Sequence, residues 1–470
     1  MSLRRTKIVA TIGPASRSPG TVRKLIPHVD VFRINFSHGD VESHLEEIGV
    51  IRKEAARAKR NVAILQDLPG PKIRVRRIAG GSVDLARGSQ VLLVSEDIEG
   101  DASSIPINNA ELLKSVKEGD ILHLADGTIK LRVEDQRGTG IRCHVVDGGV
   151  LSSGKGVNAP SVRFKVEYPT SKDAAYLKFG VGHGVDFIAA SFIRAPSDVR
   201  AVRRLVPSGG PMLIAKIEKK EAVANLDSIL AEADGAMVAR GDLGIEVPIE
   251  TVPAIQKSMI RKCNEAGKPV IVATQMLVSM VNFPVPSRAE VTDVSTAILD
   301  GTDAVMLSDE TTVGKYPVES VRMIDKIARS TERHLRSYFR AAPEVRSSET
   351  GYAIARAACR LADYVGAKAI VAPTQTGTTA KRVSMYRPTQ PIIAICSEER
   401  VARRLSLYRG VVPFVTKTAR SLDSLFEQAD HAAERLGVAK KGERIVVTSG
   451  TPGMRGTTNT IKVSVVGSRA

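Results

Sequence analysis

Hydrophobic positions fall in short β-branched runs that end in polar or charged residues, and a helical pattern follows most of them. The runs are Lys7–Gly13, Val31–Phe36, Val62–Asp67, Val185–Phe192, Met212–Glu218, Gly235–Asp242, Pro269–Gln275 and Ala304–Glu310. Near-continuous apolar runs suit strands buried on both faces of a parallel sheet. Eight such runs predict a closed (β/α)8 TIM barrel, whose active groups lie at the C-terminal strand ends. Those ends carry Arg33, Asn35, Asp67, Lys216, Glu218, Asp242, Thr274 and Glu310. Ser287-Arg-Ala-Glu290 reads as a capping box and Pro196-Ser-Asp198 as a helix start.

The crossover between the third and fourth runs has a different texture. It holds short alternating strands at Ile73–Ile78, Gln90–Ser95, Asp120–Leu124, Ile129–Val133 and Ile141–Val146, with an Asp126-Gly127 turn signal. This predicts a small inserted β-barrel domain that could close over the site as a lid. After a linking loop at 341–351, helices and strands alternate to the end, predicting an open-sheet α/β domain. The expected division is 1–74 and 166–333 for the barrel, 75–165 for the lid and 334–470 for the C-terminal domain.

Composition narrows the function. The 470 residues are 43% hydrophobic and 25% charged, ordinary for a globular protein, and no apolar stretch nears the ~18 residues of a membrane helix. The N-terminus runs straight into a strand, so a cytoplasmic protein without membrane association is expected. Cys143, Cys263, Cys359 and Cys396 lie far apart and form no CxxC pair, which leaves reduced structural thiols. A net charge of +17 raises nucleic-acid binding. Scattered charges, 4% aromatics and no Trp speak against it and favour a surface that attracts phosphorylated metabolites.

The site residues suggest phosphoryl transfer without a P-loop. Glu218 and Asp242 are two carboxylates on neighbouring runs, and a hard divalent ion takes one or two carboxylates beside substrate oxygens. Lys216 lies two residues before Glu218, so ammonium and carboxylate enter one cavity. Arg33 adds a guanidinium suited to phosphate. Spacing alone leaves aldolases and enolising lyases of the same fold open.

Arg33-Ile-Asn-Phe-Ser-His-Gly39, Lys216-Ile-Glu218, Met237-Val-Ala-Arg-Gly-Asp-Leu-Gly244 and Ala273-Thr-Gln-Met276 resemble, in order, the motifs of the pyruvate kinase family. The resemblance covers nearly the whole chain. It implies transfer of the phosphoryl group of phosphoenolpyruvate to ADP, giving pyruvate and ATP. It further implies that Arg33 holds the phosphoryl group and Lys216 stabilises its transition-state charge. Glu218 and Asp242 would bind Mg2+ or Mn2+. The Gly241 and Asp242 amides would meet the substrate carboxylate, and Thr274 would stand near the enolate carbon. Arg74, Lys155, His38 and Asn35 match nucleotide-contacting positions. The family suggests a homotetramer with an allosteric phosphate loop, here Ala372–Ala380, whose Thr374, Thr376, Thr378 and Thr379 would hold a phosphorylated effector. Gly450–Gly456 resembles the facing effector loop. Gln375 replaces a lysine of bisphosphate-responsive members and predicts a monophosphate effector.

Two departures stand out. Ser308-Asp309-Glu310-Thr311 replaces the family's Ser-Gly-Glu-Thr, and no role is assigned to Asp309. Asp67-Leu-Pro-Gly-Pro-Lys-Ile-Arg74 replaces Asp-Thr-Lys-Gly-Pro-Glu-Ile-Arg. Leu68 offers no side-chain oxygen where the family has a threonine. Lys72 is expected near Asn35, Ser37 and Asp67 as an internal substitute for K+, so that K+ is not required.

Overall fold

The computed structural model describes residues 3–160, 162, 167–334, 349–450 and 458–468. Eight parallel strands close a barrel: Lys7–Thr11, Val31–Asn35, Ala63–Asp67, Phe187–Ala190, Met212–Ile217, Gly235–Ala239, Val270–Ala273 and Ala304–Leu307. The first strand pairs with the second and the eighth, which completes the ring. Alternation along each strand sorts the side chains. Leu213, Ala215 and Ile217 join the layer between strands and helices, whereas Met212 and Ile214 fill the interior. That parity carries Lys216 inward. The same rule sends Arg33 in after Val31, and Asp67 in after Ala63 and Leu65.

Two runs end earlier than expected. The sixth strand stops at Ala239, and Asp242 lies in the first turn of a helix, Arg240–Glu246, rather than at a strand end. Glu310 likewise belongs to the short helix Asp309–Thr312, with Asp309 exposed. In both places acidic residues occupy a first turn, where the helix dipole favours them.

The insertion between the third and fourth barrel strands forms a six-stranded sheet and a two-stranded ribbon around one apolar core. Asp126 and Gly127 both take positive φ and join antiparallel strands Ile121–Leu124 and Ile129–Arg137. Ile73–Ile78 is not a continuous strand. Arg74, Val75 and Ile78 bridge to Gly156, Ile107 and Gly100, three different segments, so no single ladder forms. Short strands at Ser82–Leu85, Ser104–Pro106, Gly149–Ser152 and Val157–Asn158 complete the lid. The expected lid end at 165 lies outside the described residues, as does most of the 341–351 loop.

The C-terminal sheet runs, in spatial order, Val411–Val415, Ile392–Cys396, Ile370–Pro373, Arg444–Ser449 and Thr460–Val465, the last antiparallel. Ion pairs weld it to the barrel. Arg387 Nη1 lies 2.7 Å from Asp303 Oδ1, and both side chains are buried. Among the described residues no helix is long and apolar enough to cross a membrane.

Candidate active site

Four charged groups converge at the C-terminal ends of the second, third and fifth strands. Arg33 Nε donates to Asp67 Oδ2 at 2.6 Å, and its Nη1 to Thr11 Oγ1 at 3.0 Å. Lys216 Nζ lies 3.2 Å from Asp67 Oδ1 and 2.9 Å from Glu218 Oε1, and donates to Ser191 Oγ at 2.7 Å. Asp67 thus holds one cation with each oxygen. Burial pushes its carboxyl up, but Lys216 and Arg33 outweigh this and hold it below the usual range. The ammonium of Lys216 is desolvated, yet Asp67 and Glu218 hold its pKa above the ordinary lysine value. Burial is the largest influence on Glu218 and raises its carboxyl; Lys216 opposes this, and the negative charge of Asp242 adds to it.

The charges of Glu218 and Asp242 therefore repel one another. Among the described residues no group of three or more His, Cys, Asp or Glu side chains converges. Two carboxylates are what a Mg2+-type ion takes from a protein when substrate oxygens and water complete its shell, so the residues present fit such an ion.

Lys72 Nζ pairs with Asp242 Oδ1 at 3.1 Å, with both side chains roughly a quarter exposed. The sequence reading put it beside Asn35, Ser37 and Asp67; its hydrogen bond goes to Asp242. Leu68 is a second correction. It follows Asp67 with the opposite parity and is buried in the layer outside the strands, so its missing oxygen is lost from the core and not from the cavity. Gly70 turns the loop between them at φ +65, where a Cβ would stand 2.8 Å from the Phe192 ring and 3.1 Å from Ser191 Cβ.

Thr274 lies just past the seventh strand with φ +71, followed by Gln275 at +54. A β-branched residue in the left-handed region is strained and needs outside support. Arg240 supplies it. Its guanidinium donates to Thr274 O at 2.7 Å and Gln275 O at 3.2 Å, and is held by Asp293 at 2.7 and 2.8 Å. Thr274 Oγ1 accepts from Gly241 N at 2.8 Å, so that amide is bonded within the protein.

At the lid stem, Arg74 Nη1 donates to Gly154 O at 2.8 Å, and Val75 N to Lys155 O at 2.9 Å, while the Lys155 side chain is exposed. His38 is held below its usual pKa by burial and then by the charges of Arg74, Arg33 and Lys72. Asn35 Oδ1 accepts from Ser37 N at 3.2 Å. A cavity of about 410 Å³ opens between lid and barrel, lined by Lys72, Phe192, Arg194, Lys219 and Glu246 among others. Far from these groups, the Thr374–Thr379 loop folds on itself. Gly377 N donates to Thr374 Oγ1, Thr376 and Thr378 share a hydrogen bond, and Thr379 bonds Thr458. The facing loop lies outside the described residues except Gly450.

The chain matches family models described as pyruvate kinase, barrel domain, over residues 3–321, and pyruvate kinase, alpha/beta domain, over residues 352–464. The chain belongs to the pyruvate kinase family. It is 45% identical over 473 residues to pyruvate kinase of Thermococcus litoralis, covering 98% of both chains. It is 45% identical to that of Geobacillus stearothermophilus, covering 98% of this chain and 80% of the relative. It is 44% identical to pyruvate kinase 2 of Synechocystis, covering 98% and 79%. The chain is a phosphotransferase that converts phosphoenolpyruvate and ADP to pyruvate and ATP in glycolysis, and its family uses a divalent metal.

Sequence reasoning missed Ser191, Arg240 and Asp293. Ser191 lies inside the run Val185–Phe192, one residue past the strand, and its polarity amid apolar neighbours was the available signal. Arg240 lies inside the Met237–Gly244 motif. Its partner Asp293 is 53 residues away, and no local pattern links the two.

Proposed function

We propose that Lys216 and Arg33 carry phosphoryl transfer in this pyruvate kinase. What supports this most is the Lys216 ammonium, desolvated and held between Asp67 and Glu218 beside the Arg33 guanidinium. Arg33 grips the phosphoryl group, and Lys216 meets the charge that spreads over its oxygens in the transition state. Glu218 and Asp242 would hold a divalent ion, Mg2+ or Mn2+, which when bound neutralises charge on the enolate and phosphoryl oxygens. Thr274 stands near the enolate carbon. A threonine hydroxyl is too weak an acid to supply the proton alone, so a water relay delivers it. The Gly241 and Asp242 amides lie at the helix start beside Thr274, with the Gly241 amide exchanging its Thr274 bond for the substrate carboxylate. Arg74, Lys155, His38 and Asn35 face the nucleotide from the lid stem and the second strand. The lid is taken as 75–165, between the barrel parts 1–74 and 166–333, with the effector domain at 334–470.

Lys72 supplies the charge that a monovalent cation supplies elsewhere in the family, and K+ is not required. The support is the tethered ammonium that Lys72 supplies in the loop after Asp67; it pairs with Asp242 and not with Asn35, Ser37 or Asp67. A phosphate monoester at Thr374, Thr376, Thr378 and Thr379 regulates a cytoplasmic homotetramer. One assay tests the core of this reading. Pyruvate formation is followed with and without ADP, in buffer whose cation is bulky and organic, with K+ then added. ADP-dependent turnover near its maximum without K+ is expected, and Lys72→Glu loses most of it. Strong saturable activation of the unmodified enzyme by K+ over Li+ overturns the role of Lys72. Wild-type turnover in Lys216→Met overturns the catalytic assignment.

A further inference from the structure

A cavity of about 590 Å³ lies beside the N-terminal end of the third barrel strand, where the last turns of helix Val41–Arg57 and the residues after it meet the C-terminal domain. Its size falls in the range of small-molecule sites. Arg52, Lys59, Arg60, Arg403 and Arg435 line it, and Glu399, largely exposed, is the carboxylate among the lining residues.

The cations here exceed their counter-charges. Arg52 Nη2 and Arg403 Nε share one buried carboxylate, Asp186, at 2.7 and 2.9 Å, and Arg403 also reaches the exposed Glu399 at 3.5 Å. Arg60 approaches Asp30 only to 3.8 Å, and Asp30 already pairs with Arg4 at 2.9 Å. Burial, the largest influence, holds the Arg60 guanidinium below its usual pKa. Arg435 lies over the Phe414 ring, 5.9 Å from its centroid, and Pro413 and Phe414 give the cavity an apolar wall. Guanidinium forks suit phosphate oxygens, and a dianion offsets more of this excess than a carboxylate does.

We infer that this barrel–C-terminal cavity binds a phosphate monoester and that its occupancy is felt at Lys216. The connection is short. Asp186 is buried, accepts from Ile64 N at 2.9 Å, and immediately precedes the fourth strand, Phe187–Ala190. At the far end of that strand, Ser191 Oγ accepts from Lys216 and Phe192 N donates to Glu218 Oε2 at 2.6 Å. An anion that draws Arg52 and Arg403 away from Asp186 changes the anchor of the strand that positions both groups. The site is separate from the Thr374–Thr379 loop, and its binding arm does not depend on the roles given to active-site residues.

Calorimetry on the full chain tests it with three probes: inorganic phosphate, glucose 6-phosphate and AMP. The two esters share a phosphate monoester and differ in the group set against Phe414, so the stronger binder shows whether a sugar or a nucleoside is preferred. Lys59→Gln with Arg435→Gln, both exposed residues, should weaken the better ester at least tenfold while leaving turnover without ester unchanged. Thr376→Ala with Thr378→Ala should leave that binding intact. In the unmodified enzyme the ester should shift half-saturation by phosphoenolpyruvate at least twofold, and the Lys59/Arg435 variant should abolish the shift. No binding of either ester, equal binding in the cavity variant, or loss in the loop variant overturns the site. Binding without any kinetic shift overturns the link to Lys216.

Discussion

Lys216 and Glu218 touch at 2.9 Å, yet their removal should read differently. On the role proposed for Lys216, Lys216→Met deletes charge needed mainly in the transition state. Turnover should fall by roughly 10²–10³-fold or more, with the KM for phosphoenolpyruvate within a few-fold of the parent. On the proposed role of Glu218 as an ion ligand, Glu218→Gln should sharply raise the Mg2+ or Mn2+ concentration for half-maximal activity, as a metal titration would show. Arg240 acts at one remove. Its fork ties Asp293 to the carbonyls of two consecutive left-handed residues, Thr274 and Gln275. Arg240→Lys keeps the charge and loses the fork. Turnover should drop about tenfold and stability by about 1–3 kcal/mol, the scale of hydrogen bonds to charged groups. Parental kcat in this variant would show that Thr274 holds its backbone without the clamp.

Helix Arg288–Leu299 links a local rule to the site, because it carries Asp293. Ser287 Oγ accepts from Glu290 N, while Glu290 Oε2 accepts from Ser287 N at 2.8 Å. Glu290 also accepts from Ser279 N at 2.7 Å, tying the preceding turn Val278–Val281 to the helix start. Ser287→Ala should cost about 1 kcal/mol, the usual worth of a cap. Chemical denaturation would measure it, and turnover should stay within about twofold because Asp293 lies beyond the first turn. This cap was legible locally, since both partners sit three residues apart. The segment Ile73–Ile78 shows the converse. Its apolar alternation is that of a strand, but its pairing partners come from three places, and no local pattern records that.

At the scale of the molecule, Glu332 joins the last barrel helix to the N-terminal segment and feels the Arg409 charge of the C-terminal domain. Its carboxylate accepts from the Arg5 and Thr6 amides at 2.9 and 2.6 Å. Burial alone would raise its pKa; Arg409, the two amides and the Arg5 charge outweigh it, and the carboxyl is held below its ordinary value of 4.5. A carboxyl with a depressed folded pKa lends stability that is fully present above the unfolded value and lost as pH falls through the folded one. The melting temperature of Glu332→Gln should therefore trail the parent above pH 4.5, and the gap should narrow as pH drops below it. A gap independent of pH between 3 and 6 would mean that hydrogen bonding alone, and not charge, holds this junction.

The eight barrel strands, the inserted domain and the open C-terminal sheet were legible because each rests on a short-range period. Alternation over a few residues decides which side chains face inward, and it put Lys216 and Glu218 on one face; closing the ring brings Arg33 and Asp67 beside them. The end of a strand is less local. Asp242 was read as a strand end because its run looks continuous, whereas the chain turns into a helix at Arg240 to meet Thr274. Tertiary structure alone decided the pairings: Lys72 with Asp242, Ser191 with Lys216, Arg240 with Asp293, and Arg52 and Arg403 on Asp186. These partners are 25 to 217 residues apart. Their meeting depends on closing the ring of strands and docking a second domain on it, and periodicity within a segment carries no record of which distant side chain that closure brings near.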